Sequence, residues 1–543
     1  MSLETSKWYK WLPSKGRSLR VRKKGVLSDA QKSSNKVGVV LPVYNQEREY
    51  LFECVQAIEN QTYRNFELVI VIDGANVQTV KAIYEASKLL TCKFSIIHRI
   101  FNKGIAYSLN EGFGKLLDCP LLTWISSDNK QWPNYLEKLV ETMKNATSET
   151  VLVYSLYHPI DEKATSRDIN NTWYPALTDM MKRPKEEIML TCFIGASFLF
   201  KREAYEQADG YDPKYGLVSD YEFWIRLMPL GEFLFLSEPL MDYRLNGKYS
   251  LTTITASEEL FLQSMAASVD HRRKNGDIPK VTVLITACNH EKYIKDCIQS
   301  VLNQTYSNFH IVVLDVGSTD STLSEIYSMH DTRIIPLHIS KRHKAEALNI
   351  GLAYVLGEYV LELDGDDWID PTSLEIMISE MLSLSSNVAM VFANRKVWFE
   401  ENGVLREGPV YKGYFYKDKY EVLENFQTHC PRLYRYSALK KLNGWMSTIQ
   451  GEPLLADDFA MFLRLAEHFQ LHWIDKDLYH QRRHSTNITI EEKEILNNQF
   501  HLIVQETLLR WGNVYKPVFE VIDGTITKIK LVPNPNGKEM TQQ

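Results

Sequence analysis

Cysteine is scarce and unpatterned in this chain. Seven cysteines are scattered through 543 residues with no C-x-x-C pair. An odd, dispersed count excludes a disulfide framework and points to a reducing, cytoplasmic setting. Cys54, Cys92, Cys192 and Cys297 read as small core residues. Long apolar runs are missing as well. No window approaches the ~18 consecutive apolar residues of a membrane span, and the N-terminus lacks the apolar stretch of a secretory signal. No G-x-G-x-x-G follows a first strand, which disfavours a dinucleotide dehydrogenase, and no Gly-rich loop with a basic residue supports a nucleotidyltransferase. No Ser/His/Asp or Cys/His set stands out. An excess of positive charge is absent too: 62 Lys and Arg against 68 Asp and Glu give a net −6, which excludes bulk electrostatic binding of nucleic acid.

What is present is the composition of a globular protein: 44% apolar and 24% charged residues rule out a disordered chain. At ~100–200 residues per domain the length predicts two to four domains. Charge is uneven. Residues 1–36 hold ten Lys/Arg and two Asp/Glu, a net +8 that leaves −14 elsewhere, together with Trp8, Tyr9, Trp11 and Leu12. Such a tail is either a solvated terminus or a peripheral contact with an anionic membrane.

The chain contains itself twice. VGVVLPVYNQEREYLFECVQAIENQTYRNFELVIVIDG begins at residue 37, and VTVLITACNHEKYIKDCIQSVLNQTYSNFHIVVLDVGSTD at residue 281. Asn45 to Asn289 is an offset of 244, Gly74 to Gly317 of 243, Asn110 to Asn349 of 239, and Asp128 to Asp366 and Asp220 to Asp458 of 238 each. A repeat of about 240 residues is a domain duplication, too long for a solenoid. In the first copy apolar runs at 37–42, 66–72, 94–99 and 121–125 alternate with helical periodicity at 47–60, 77–90 and 105–117. That alternation predicts an α/β fold, a parallel sheet with helices on both faces. Ligands of such sheets lie beyond the carboxyl ends of the strands. The predicted divisions are a basic extension (1–35), domain 1 (36–270), a charged Gly/Pro linker (271–280), domain 2 (281–490), and a C-terminal helix with a β-hairpin around Asp523-Gly524 (491–543).

The polar residues after each strand carry the chemistry. Asp364, Asp366 and Asp367 end the apolar run Tyr359–Leu363. Carboxylates packed this closely repel unless a cation lies between them, and Mg²⁺ or Mn²⁺ favours such oxygens together with substrate phosphates. An isolated D-x-D is more often an acidic surface turn; strand context and repeat position argue for function here. In copy 1, Ser126, Asp128 and Asn129 stand at these places, so one carboxylate of three survives. Asp220 and Asp458 recur 92 residues after Asp128 and Asp366. Each opens a helix-like stretch, as an N-cap or as a general base for an attacking hydroxyl. Arg482, Arg483 and His484 follow. A lone His is more often structural than a ligand, but basic residues with His after the carboxylate pair could contact phosphates and complete a metal shell; copy 1 has Arg244 and Asn246.

These motifs, in order and twice, resemble the family 2 glycosyltransferases of the GT-A fold, over about residues 36–270 and 280–490, and in particular bacterial surface and capsular polysaccharide transferases. PVYN (42–45) and TACNH (286–290), the Gln-Thr-Tyr turns, DGA (73–75), DVGSTD (315–320), SSDN (126–129) and LDGDD (363–367) carry the resemblance. It implies two tandem GT-A domains, each taking a nucleotide-diphosphate sugar, most often a UDP-sugar. Asp366, Asp128 and His484 would hold Mn²⁺ or Mg²⁺, with Asp364 nearer the ribose and Asp73 and Asp315 by the base. Pro42, Tyr44, Asn45, Ser127, Thr286, Ala287, Asn289, Asp367 and Arg482 would complete the donor contacts. Asp458 and Asp220 would be the bases of an inverting single displacement onto a glycan or lipid-linked acceptor. Two departures stand out: Val316 replaces a second Asp of the nucleotide loop, and the metal motif of copy 1 is thinned. The alternatives are a chain in which only domain 2 is catalytic and domain 1 is a pseudo-enzyme, or a non-catalytic nucleotide-sugar or carbohydrate binder. Trp173, Tyr174, Trp398, Tyr411, Tyr414 and Tyr416, in the predicted loops 155–195 and 394–430, are either sugar-stacking or core residues.

Overall fold

A strand with no polar side chain on either face must be covered on both, and the first strand of the chain is such a strand. In β1 (Val37–Val43), Val37, Val39, Leu41 and Val43 pack with the helices Arg48–Glu59, Val77–Ala86 and Tyr135–Asn145. Its other face meets the helix Ile105–Phe113, so closely that a Cβ on Gly112 would lie 2.7 Å from the Val40 side chain. The computed structural model describes residues 35–163, 173–245, 257–401, 403–425, 429–484, 493–522, 525–535 and 537. The basic segment 1–34 and the Asp523-Gly524 turn lie outside the described residues. The chain divides into two units, Met1–His271 and Arg272–Gln543.

In the first unit β2 (Phe66–Asp73), β3 (Lys93–Arg99) and β4 (Leu121–Trp124) join β1 in a parallel array. The rest of the sheet departs from the expected parallel pattern. β5 (Lys130–Gln131), β6 (Thr150–Ile160), β7 (Phe198–Lys201) and β8 (Glu232–Arg244) complete the order β3-β2-β1-β4-β7-β6-β8-β5. β7 is antiparallel to both its neighbours and β5 is antiparallel to β8. The predicted loop 155–195 thus begins inside a strand.

The second unit repeats the plan. β9 (Val281–Ala287), β10 (Phe309–Val316), β11 (Ile334–Ile339) and β12 (Tyr359–Asp364) are parallel. β13 (Trp368–Ile369), β14 (Val388–Glu401) and β15 (Val404–Tyr411) follow, then β16 (Arg432–Arg435), the small hairpin β17 (Thr448–Ile449) and β18 (Glu452–Pro453), and β19 (Gln470–Arg483). The main order is β11-β10-β9-β12-β16-β14-β19-β13, with β15 paired to β14 outside it. Much of the predicted loop 394–430 is therefore the β14–β15 hairpin. A helix, Lys493–Arg510, and the antiparallel pair β20 (Tyr515–Ile522) and β21 (Thr525–Pro533) close the chain as expected.

Candidate active site at the carboxyl ends of the strands

The loops after β1, β2 and β4, and after β9, β10 and β12, emerge on one edge of each sheet. Side-chain amides brace them. Asn45 Oδ1 accepts the Asn76 N–H at 2.8 Å, and Asn289 Oδ1 accepts the Thr319 N–H at 2.8 Å. Both asparagines thus staple neighbouring loops instead of offering the carbonyl to a donor. Gly74 and Gly317 have φ of +64° and +63°, and a Cβ there would lie 2.3 Å from Asn102 N and 2.6 Å from Lys341 N. Only glycine fits either turn. Pro42 pairs with Val71 inside the sheet, and Ala287 is buried opposite Asp315. Tyr44 is exposed at the edge. Ser127 accepts a hydrogen bond from Gln46 at 3.3 Å, and the Thr286 carbonyl accepts the Gly365 N–H at 2.9 Å.

Two expected counterparts are not counterparts. Asp315 is level with Ala287 and Ile72 with Val43, so Asp315 takes the place of Ile72, and Asp73 that of Val316. Successive strand residues face opposite sides. Asp73 accepts the N–H groups of Lys103 and Gly104, both at 2.9 Å, and pairs with Arg99 at 3.2 Å. Its oxygens clamp the loop after β3 and leave little for a base. Asp315 instead pairs with His338 Nδ1 at 2.7 Å, while its other oxygen is buried without a hydrogen bond.

The acidic triplet of the second unit divides into three roles. Asp366 Oδ2 lies 3.1 Å from His484 Nε2, with both side chains nearly buried. Burial pushes the Asp366 carboxyl up, but the His484 hydrogen bond and the charge of His290 outweigh it and hold the group below the usual carboxylate range. Asp364 turns to the Lys344 ammonium, which also reaches Glu362 at 3.0 Å. Asp367 is buried: it accepts the Tyr479 hydroxyl at 2.7 Å and the Arg482 N–H at 2.7 Å. Burial, then the charges of Asp366 and Asp364, raise its pKa well above normal. Asp367 therefore anchors β19, with both oxygens accepting hydrogen bonds from that strand. Arg482 is likewise committed: Nε donates to the Asp366 carbonyl at 3.0 Å, and the two terminal nitrogens lie 3.3 Å from Glu400 and 3.5 Å from Asp296. It braces the acidic loop through these contacts.

Asp458 connects to this site through residues that the sequence reading passed over. Arg432 bonds Glu362 at 2.8 Å and lies 3.5 Å from Asp458 Oδ2. The contacts run Asp364, Lys344, Glu362, Arg432, Asp458, alternating in charge. Burial raises Glu362, but Arg432 and Lys344 overcome it and bring the group down to about 2. Beside Asp458, burial pushes Asp457 up to about 8, with Lys344 opposing and Asp458 adding to the shift. His290 is a further missed neighbour: a Cβ on Gly365 would lie 2.9 Å from its Nδ1.

Unit 1 keeps Asp128 and Asp220 and loses the ladder between them. The register that opposes Glu362 to Arg432 sets Trp124 against Phe198, whose rings lie 5.7 Å apart. Ile105 opens the helix that Lys344 opens in unit 2. Asp128 accepts a hydrogen bond from Ser126 Oγ at 2.5 Å. Burial raises both Asp128 and Asp220. Arg244 Nε donates to the Asp128 carbonyl at 3.1 Å, and the Arg244 N–H goes to Asn129 Oδ1 at 3.1 Å, as Arg482 does with Asp366 and Asp367. Asn246, opposite number of His484, lies outside the described residues.

The donor set suits a small hard cation. Two cis ligands at about 2.1 Å from an octahedral ion lie roughly 3 Å apart, close to the 3.1 Å between Asp366 Oδ2 and His484 Nε2. Another acidic group, Glu67, Asp118 and Cys119, is already neutralised: Lys36 Nζ lies 2.6 Å from both carboxylates. Of the aromatic candidates, Trp398 packs near Trp368 and His480, and Tyr416 packs on Phe392 and Tyr414. Tyr411 lies under Arg395. The side chains of Trp173 and Tyr174 lie outside the described residues. Among the described residues no helix is long and apolar enough to cross a membrane.

The two repeats have a counterpart in known sequences. The family model of glycosyl transferase family 2 matches residues 38–208 and 282–443. The chain belongs to that family. An uncharacterized glycosyltransferase of Rickettsia felis (strain ATCC VR-1525 / URRWXCal2) is 25% identical over 394 residues, 64% of this chain and 63% of that protein. A chondroitin synthase of Escherichia coli is 23% identical over 531 residues, 88% of this chain and 74% of its own length. The structure of S. aureus TarS 1–349 in complex with UDP-GlcNAc aligns with 48% of this chain and 99% of its own, at 16% identity and a TM-score of 0.32. The chain spans 63% of the length of the first curated relatives it matches.

Proposed function

We propose that this family 2 member transfers hexosyl or N-acetylhexosaminyl groups from UDP-sugars to a glycan or lipid-linked acceptor in bacterial polysaccharide synthesis. The reading rests on one observation above others: the contact chain that ties Asp458 to Asp364, two residues from the Asp366–His484 pair. It gathers a cation-binding pair and an acceptor-side carboxylate at one edge of one sheet. Asp366 and His484 would hold Mn²⁺ or Mg²⁺, which when bound stabilises charge on the departing diphosphate. Asp458 takes the proton of the acceptor hydroxyl as that oxygen attacks the anomeric carbon from the side opposite the leaving group, with inversion. Arg432, 3.5 Å from Asp458 Oδ2, ties that carboxylate to the ladder. The basic, aromatic N-terminal segment would hold the enzyme at the cytoplasmic membrane face.

Unit 1 favours a second reading of its own. With Trp124, Phe198 and Ile105 where unit 2 has charges, and with both remaining acids raised by burial, unit 1 would be the weaker catalyst or a binding module. A donor panel with Mn²⁺, read by nucleoside diphosphate release, tests both readings. Asp366→Ala and Asp458→Asn abolish turnover if unit 2 carries it. Release that survives both and disappears in Asp128→Ala assigns it to unit 1. Pelleting with anionic liposomes, with and without residues 1–35, checks the membrane contact; equal pelleting eliminates it.

A further inference from the structure

Behind the acidic loop of unit 2 lies a cleft of about 440 Å³. Its floor is aromatic. Trp368 and His480 stack at 5.2 Å with an interplanar angle of 14°, and Trp398 Nε1 donates to His480 Nδ1 at 3.1 Å, which fixes that ring. The walls are Leu405 of β15 and the side-chain amides of Gln299 and Asn303, one turn apart on the helix Ile294–Leu302 and its C-cap. Arg482 closes the end nearest the acidic loop.

The cleft joins that loop through a continuous stack. The Arg482 guanidinium lies 4.6 Å from the Tyr293 ring centre and 5.0 Å from that of Trp368, while Tyr293 stacks on His484 at 5.0 Å. The order from the acidic loop outward is His484, Tyr293, Arg482, Trp368, His480. Unit 1 lacks this floor. Lys130 and Asp242 face each other where Trp368 faces His480, and Ile160 replaces Trp398 beside Arg244.

We propose that this cleft binds a saccharide segment of the acceptor glycan outside the place where transfer occurs. Its volume falls in the ~300–1,000 Å³ range of small-ligand clefts. An apolar patch rimmed by polar groups marks a binding groove. A pyranose ring offers that patch a face of C–H bonds, and its hydroxyls both donate and accept, matching the Gln299 Oε1 and Asn303 Nδ2 that remain beside the 2.9 Å bond from Gln299 Nε2 to Asn303 Oδ1. A phosphate-bearing ligand suits the cleft poorly, because the nitrogens of Arg482 are engaged by the Asp366 carbonyl, Glu400 and Asp296. Because Arg482 also holds the Asp366 carbonyl, a bound segment would steady the acidic loop from behind. The inference rests on the glycan-transferase reading for the nature of its ligand.

The test is direct binding to the full chain, read by isothermal titration calorimetry. The probes are chondroitin, hyaluronan and neutral β-glucan hexasaccharides. Two variants accompany the native chain: Trp368→Lys, which installs the unit 1 residue, and Gln299→Trp, which fills the cleft from an exposed helix position. We expect at least one probe to bind, and both variants to bind it about tenfold more weakly, the scale of one lost aromatic contact. Circular dichroism establishes that the variants fold. Equal binding to all three proteins, or no binding of any probe to the native chain, overturns the proposal. UDP-sugar turnover by the same native preparation separates the two readings: with turnover intact the cleft proposal falls alone, and without it the transferase reading falls too.

Discussion

His484 Nε2 lies 3.1 Å from Asp366 Oδ2, although 118 residues of chain separate the two. The end of strand β19 brings them together, and Arg482, two residues before His484, ties that end to the Asp366 carbonyl. If the pair holds a divalent ion, His484→Ala lowers apparent Mn²⁺ affinity by about 10- to 100-fold, the scale seen for groups that support a metal site. Titration of bound Mn²⁺ by electron paramagnetic resonance measures this without turnover. An unchanged affinity would remove His484 from the site.

Glu362 is the centre of the charge ladder, with Arg432 at 2.8 Å and Lys344 at 3.0 Å. Removing one member of a buried pair strands the other charges, at a cost of about 3–5 kcal/mol. Glu362→Ala should therefore strongly destabilise unit 2 at neutral pH. The pH dependence has a defined sign. A carboxyl brought down to about 2 from 4.5 contributes stability that is present above its unfolded value and is lost as pH falls toward 2. The gap between native and Glu362→Ala melting temperatures should thus narrow in acid; a gap that holds constant to pH 2.5 would contradict the ladder.

The sheets and their helices were legible because both depend on periodic burial. β1, β2, β3 and β4 fall within a residue or two of the apolar runs that predict them. The reversed β7 was not legible, because a four-residue strand such as Phe198–Lys201 carries no directional signal. The candidate site was legible as an acidic loop at the end of β12, where Asp364, Asp366 and Asp367 stand together. It was misread where a side chain serves the backbone. Asn129 looked like a lost carboxylate, yet it accepts the Arg244 N–H just as Asp367 accepts that of Arg482. The ladder left a signal in the sequence: Glu362 interrupts an otherwise apolar run, and Arg432 begins the short strand that pairs opposite it. Buried charges of opposite sign in neighbouring strands imply each other.

Asp367 offers a test of that correction. An acceptor is all that β19 requires, and asparagine provides one in unit 1. Asp367→Asn should keep the fold nearly as stable as the native chain, whereas Asp367→Ala leaves the Arg482 N–H and the Tyr479 hydroxyl unmatched, at about 1–3 kcal/mol each. Thermal unfolding separates the two. Equal losses would mean that the charge itself matters and that Asp367 belongs with the cation-binding residues after all.

Asp457 is buried, one of its oxygens has no hydrogen bond, and burial pushes it up to about 8 from 3.8. The folded state then holds a proton that the unfolded chain has released, so stability declines as pH rises between those two values. Asp457→Asn removes the titration and should raise the melting temperature more at pH 8 than at pH 5. The reverse order would show that Asp457 is ionised in the fold, paired with Lys344.

Asp458 has Arg432 beside it at 3.5 Å, whereas Phe198 holds that position in unit 1. Burial raises Asp220, and among the described residues no ion pair offsets it. A base must be unprotonated to accept a proton, so the acid limb of its rate profile follows its own pKa. Turnover left to unit 1 in an Asp366→Ala chain should therefore rise at a higher pH than an unshifted carboxylate requires, and a limb in the ordinary carboxylate range would exclude Asp220 as that base. Arg432 is tested apart from pH: in an Asp128→Ala chain, Arg432→Met, which deletes the cation, should lower the turnover left to unit 2, and Arg432→Lys, which keeps the charge, should restore most of it. Turnover unchanged in Arg432→Met would remove Arg432 from the site.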